Sequence, residues 1–83
     1  MHLSIITPEK TLFSAEARMV TIPGTEGEFG VLPRHAPFIS SLRPGAITID
    51  TTDGKQQTIE ITGGFAEVTP ERCTVLAEIP VVA

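Results

Sequence analysis

The sequence predicts an all-β fold: a small β-sandwich or flattened barrel of two packed, mainly antiparallel sheets, filling residues 1–83 as a single domain. Three observations carry this expectation. Proline and glycine recur too closely along the chain to leave room for a long helix. The runs between them are rich in Val, Ile, Thr and Phe, which suit a pleated, half-buried surface. Several of those runs alternate apolar and polar residues with the period of a strand.

The elements follow in chain order. Leu3 and Ile5 share one face against His2, Ser4 and Ile6. Residues 11–17 admit a helical turn, though one too short to hold unaided. Val20 and Ile22 then oppose Met19 and Thr21, and Ile47 and Ile49 oppose Thr48 and Asp50. Ile59 and Ile61 oppose Thr58 and Glu60, and Cys73, Val75 and Ala77 oppose Thr74, Leu76 and Glu78.

One hairpin can be specified to its register. Asp53-Gly54 separates strands expected over residues 46–51 and 55–62. A two-residue loop would set Ile47 against Glu60, mixing apolar and polar side chains on one face, which a buried face rejects. A three-residue loop, Thr52-Asp53-Gly54, pairs Thr51 with Lys55 and Ile47 with Ile59, and puts Gly54 at the left-handed third position. The three-residue loop is therefore preferred.

Composition narrows the function classes. A chain of 83 residues buries only about 60% of the surface its unfolded form exposes, so a large partner surface would add to a thin core. The formal net charge is −4, from acids spread along the chain. The bases Lys10, Arg18, Arg34, Arg43, Lys55 and Arg72 are scattered and build no positive stripe, which argues against nucleic acid. Cys73 is the sole cysteine, so no internal disulfide forms, a reducing compartment is the simplest reading, and the thiol reads as a small packed hydrophobe. No apolar run approaches the ~20 residues that span a bilayer, and the N-terminus lacks the blocks of a secretory signal. A soluble protein without direct membrane insertion is expected.

Residues 23–37 are the most informative stretch. Gly24-Thr25-Glu26-Gly27-Glu28-Phe29-Gly30 is glycine-rich, but a P-loop needs Lys-Ser/Thr after its last glycine and Val31-Leu32 follow here. Its acids would also repel phosphate. The glycines read as a pair of tight turns at positive φ, with Glu28 and Phe29 displayed at the tip toward a polar or basic partner loop. Pro33 and Pro37 stiffen the connector that holds His35. Only His2 could join His35 as a metal ligand, and no acid–nucleophile set lies near it in sequence. Ser40-Ser41 lacks the elbow of a hydrolase nucleophile, and a hydrolase using His35 lacks both an oxyanion-hole signature and an orienting acid. Glu60, Glu67, Glu71 and Glu78 read as solvated strand faces and turns. No catalytic residue, cofactor site or metal site is expected. The residues alone leave open a docking subunit or a free-standing β-sandwich adaptor or ligand-binding module.

The string from Val20 through Pro37, followed by Leu42-Arg43-Pro44-Gly45, Gly63-Gly64-Phe65-Ala66-Glu67-Val68 and Cys73-Thr74-Val75-Leu76-Ala77-Glu78, resembles the epsilon subunit of the F-type ATP synthase, whose mitochondrial counterpart is called delta. The ordered combination covers essentially the whole chain. The resemblance implies the N-terminal β-sandwich domain, set at the foot of the central stalk as a non-catalytic part of a hetero-oligomeric rotary motor. It implies two partners, the gamma subunit and the polar loops of the c-ring, and a role in coupling proton flow to ATP synthesis. It implies a peripheral location on an energy-transducing membrane, at the cytoplasmic face of the bacterial inner membrane. Carried over by position, Glu26, Gly27, Glu28, Phe29 and Gly30 match the c-ring-facing segment, with Glu28 foremost. His35, Ala36, Pro37, Phe38 and Ser40 match the part toward gamma. Family members usually continue into a C-terminal pair of helices that can inhibit ATP hydrolysis. This chain ends at Ala83 with an apolar run, where the sandwich is expected to finish, so the helical domain is expected to be absent and neither inhibition nor ATP binding is assigned to these residues.

Overall fold

The computed structural model describes residues 1–32 and 37–80. All regular structure within them is β: β1 (His2–Ile6), β2 (Thr11–Gly24), β3 (Gly27–Val31), β4 (Phe38–Leu42), β5 (Gly45–Thr51), β6 (Gln56–Ile61), β7 (Gly63–Val68) and β8 (Arg72–Glu78). The expected all-β class holds. Every ladder is antiparallel except β1–β8, where the first strand runs parallel to the last.

The long strand β2 builds both layers. Its first half pairs with β1, from Thr11 opposite Ile6 to Glu16 opposite His2. The helical turn that residues 11–17 admit in isolation is therefore not formed, and the segment is strand. A turn too short to stand alone is outcompeted by a ladder that satisfies its backbone along its whole length. At Arg18 the register with β5 shifts between Ala17 and Met19. A bulge at such a point bends a strand and lets it change sheets. The second half of β2 then pairs with β5 on one side and β3 on the other. One layer is thus β3-β2-β5-β6, and the other is β2-β1-β8-β7-β4.

The core lies between the layers. Leu3, Ile5, Val20, Ile22, Ile47, Ile49, Cys73 and Val75 are wholly buried, and alternation along each strand puts them there. Burial disfavours the Cys73 thiolate and pushes its pKa up to about 11, so the thiol behaves as packing. The β5–β6 hairpin has the expected three-residue loop: Ile47 faces Ile59, and the Thr51 N–H donates to the Lys55 carbonyl at 2.9 Å. Gly54 takes φ +85° at its third position. Inside that loop the Thr51 hydroxyl donates to the Asp53 carboxylate, which also accepts from the Lys55 N–H at 3.2 Å. These two hydrogen bonds, the hydroxyl first, hold the Asp53 pKa below the ordinary carboxylate value.

Candidate docking surfaces

The acidic segment is one β-hairpin. Gly24 faces Gly27 across a two-residue loop, Thr25-Glu26, and Pro23 faces Glu28. Of the three glycines expected at positive φ, only Gly27 (φ 131°) takes it; Gly24 and Gly30 sit in extended strand, so one tight turn replaces two. Glu26 and Glu28 are exposed, Gly27 is half-buried and Gly30 is exposed. Phe29 departs from the expected display at the tip. It is half-buried, packs against the core and meets Phe38 edge-to-face at 5.2 Å between centroids. A Cβ on Gly24 would lie 2.7 Å from the Phe29 ring, so the bare backbone there makes room for it. The expectation failed because parity along β3 alternates Glu28 and Phe29 between opposite faces.

The turn end of this hairpin is clamped to the end of β4. The Thr25 N–H donates to the Ser41 carbonyl at 3.0 Å, and the Arg43 N–H donates to the Pro23 carbonyl at 2.9 Å. Arg43 Nε donates to the Gly24 carbonyl at 3.0 Å. The acids are thereby presented on a fixed scaffold, which lowers the ordering cost of any contact they make.

Of the residues matched to the gamma side, His35 and Ala36 lie outside the described residues. Pro37 is exposed, while Phe38 and Ser40 are half-buried on the inward-alternating side of β4. Ser40 Oγ donates to the Ser41 carbonyl at 3.0 Å. The outward positions of β4 are Ile39 and Ser41, and Ile39 is 70% exposed.

A second surface escaped the sequence reading. Phe65 and Leu76 are each more than half exposed and face one another across β7 and β8, and Leu76 also faces Ile6 of β1. The signal was present in β8: with Cys73, Val75 and Ala77 buried, Leu76 has to point outward. Among the described residues no group of three or more His, Cys, Asp and Glu side chains could hold a metal ion, and no helix is long and apolar enough to cross a membrane. The arrangement offers two fixed contact faces, one acidic and one apolar.

Comparison with known proteins gives these faces a context. The sequence profile of the ATP synthase delta/epsilon-chain β-sandwich domain matches residues 1–82. The chain is 51% identical over 77 residues to an ATP synthase epsilon chain of Rhodospirillum rubrum, covering 93% of this chain and 58% of that one. It is 53% identical over 78 residues to an ATP synthase epsilon chain of Maricaulis maris, covering 94% and 58%. It thus spans a little over half the length of these relatives. Among solved structures, a chain in the Euglena gracilis mitochondrial ATP synthase assembly of OSCP, F1 and c-ring superposes with TM-score 0.85 at 28% identity, over 90% of this chain and 48% of that one. Fold, strand patterning and sequence agree, and the chain belongs to the family of ATP synthase delta/epsilon-chain β-sandwich domains.

Proposed function

We propose that this chain is a non-catalytic central-stalk subunit of an F-type ATP synthase, linking the gamma subunit to the c-ring and so helping to couple proton translocation to ATP synthesis. The observation that carries the reading is the identity of about half its residues with named epsilon chains over more than nine-tenths of its length. The mechanism is mechanical. A rotor element must transmit torque without deforming, and the clamped hairpin beside the β4 end is suited to that.

In this reading Glu26, Gly27, Glu28, Phe29 and Gly30 form the c-ring contact. Glu26 and Glu28 supply the charge that meets the polar loops, and Phe29 anchors their strand inward. His35, Ala36, Pro37, Phe38 and Ser40 form the contact with gamma. The subunit is part of a hetero-oligomer, peripheral to an energy-transducing membrane at the cytoplasmic face of the bacterial inner membrane. The test is a pull-down of purified gamma by the chain, with folding verified by circular dichroism and ATPase activity assayed in parallel. Retention of gamma without ATPase activity is expected. A folded chain that leaves gamma unbound overturns the proposal.

A further inference from the structure

We propose that Arg43-Pro44-Gly45, the turn after β4, is the positioning device of the acidic hairpin, with the Arg43 side chain fixing the direction in which Glu26 and Glu28 are presented. The inference rests on the stalk reading for the hairpin's partner; what holds the hairpin stands on the geometry alone.

Left to itself this hairpin is weak. The pairs that close it are Gly24 with Gly27 and Pro23 with Glu28. Glycine loses the most freedom when a strand orders, and proline brings no N–H to its ladder. Gly27 is held at φ 131°. The outer strand β3 has only five residues and, among the described residues, pairs with β2 alone, so no third strand steadies it. Acids on a loose ribbon would sample many directions, and every contact they made would carry the cost of ordering them.

The turn after β4 supplies what the hairpin lacks. Arg43 takes two consecutive carbonyls of β2. Its N–H donates to the Pro23 carbonyl at 2.9 Å and its Nε to the Gly24 carbonyl at 3.0 Å. Gly24 is buried, so a carbonyl left unmatched there would be costly. Pro44 biases Arg43 toward extended geometry, in line with β4. Gly45 completes the grip. A Cβ on it would stand 3.1 Å from the Pro23 Cβ and 3.4 Å from its Cγ, so bare backbone packs on the proline ring. Gly45 also pairs with Ile61 across β5 and β6, which ties the grip into the sheet.

Arg43 acts on the acids through the backbone and not by charge. Neither Glu26 nor Glu28 forms an ion pair with it among the described residues. Both carboxylates are left for a partner, and a guanidinium that never loses its proton keeps the brace independent of pH. Arg43 is itself exposed, so direct contact with the partner is the rival explanation, and the test separates the two.

The test is a double-mutant cycle, with binding to a purified gamma–c-ring assembly read by calorimetric titration. Arg43→Ala should weaken binding about fivefold in the parent chain, the effect of one hydrogen bond that orders the contact. In a chain carrying Glu26→Gln and Glu28→Gln, the same change should weaken it less than about twofold. Arg43→Lys, whose ammonium can still donate to the Gly24 carbonyl, should bind within about twofold of the parent. On the free chain, amide hydrogen exchange at Thr25 should quicken about fivefold in Arg43→Ala, while Thr51 in the β5–β6 loop keeps its rate. Equal losses in the two backgrounds would set Arg43 against the partner itself and overturn the proposal. So would unchanged exchange at Thr25, or an Arg43→Lys chain that binds no better than Arg43→Ala. A folded parent that binds no assembly sinks the stalk reading, and the exchange result then decides the brace by itself.

Discussion

Replacing Gly64 by alanine tests how the β4-β7-β8 layer is built. Gly64 has φ +135°, and it pairs at once with Leu42 of β4 and Ala77 of β8. A Cβ there would stand 2.0 Å from the Leu76 carbonyl oxygen and 3.1 Å from the Ala77 Cα, both backbone atoms that no rotamer can move. Gly27 provides a matched control, with φ +131° and nothing within 4 Å of its added Cβ. Gly27→Ala should therefore cost the conformational penalty alone, about 1–3 kcal/mol. Gly64→Ala should cost that plus an overlap relieved only by parting two strands, a further ~1–3 kcal/mol or more. An 83-residue chain has about 4–12 kcal/mol of total stability, so Gly64→Ala should approach the unfolding threshold while Gly27→Ala remains folded. The chain has neither Trp nor Tyr, so urea unfolding is best followed by far-ultraviolet circular dichroism. Values for the two variants within ~0.5 kcal/mol of each other would refute the steric argument.

Three further outcomes follow from the same structure. Glu28→Lys should leave the melting temperature nearly unchanged, because Glu28 is exposed, while proton pumping by a reconstituted synthase falls; normal pumping removes Glu28 from the contact. The lowered Asp53 pKa means that folding favours its carboxylate. Its contribution should be present above the unfolded pKa and vanish as pH falls through the lower folded value, so the melting temperatures of parent and Asp53→Ala should converge in acid. A gap that persists at acid pH contradicts the hydrogen-bond assignment. Cys73, with its pKa raised to about 11, should resist a thiol reagent at pH 8 in the native state and react at once in urea; rapid native labelling contradicts its burial.

What was legible in the sequence was local. The register of residues 51 and 55 followed from the rule that a buried face tolerates no mixed pairing, and from one glycine at the right offset. The inward faces of β1, β5 and β8 followed from alternation. Pairing partners distant in sequence did not. Nothing in residues 2–6 announces a parallel ladder with residues 72–76, because periodicity reports which side faces inward and not which strand lies alongside. Residues 11–17 admit a helical turn in isolation for the same reason, since the strand they form is paired with β1, a partner that local pattern does not announce. Phe29 was placed at the hairpin tip although its parity turns it to the core. Leu76 is legible as an outward residue from the alternation of β8, but its union with Phe65 into one apolar row exists only once β7 and β8 are known to be neighbours.

The central claim is that this domain joins a shaft to a ring through its acidic hairpin and the adjoining β4 end. Calorimetric titration of the chain into a purified gamma–c-ring assembly tests it most directly. The account predicts saturable one-to-one binding, weakened about tenfold or more when Glu26 and Glu28 are both changed to Lys. No binding by a demonstrably folded chain, or equal affinity for the charge-reversed variant, would contradict it.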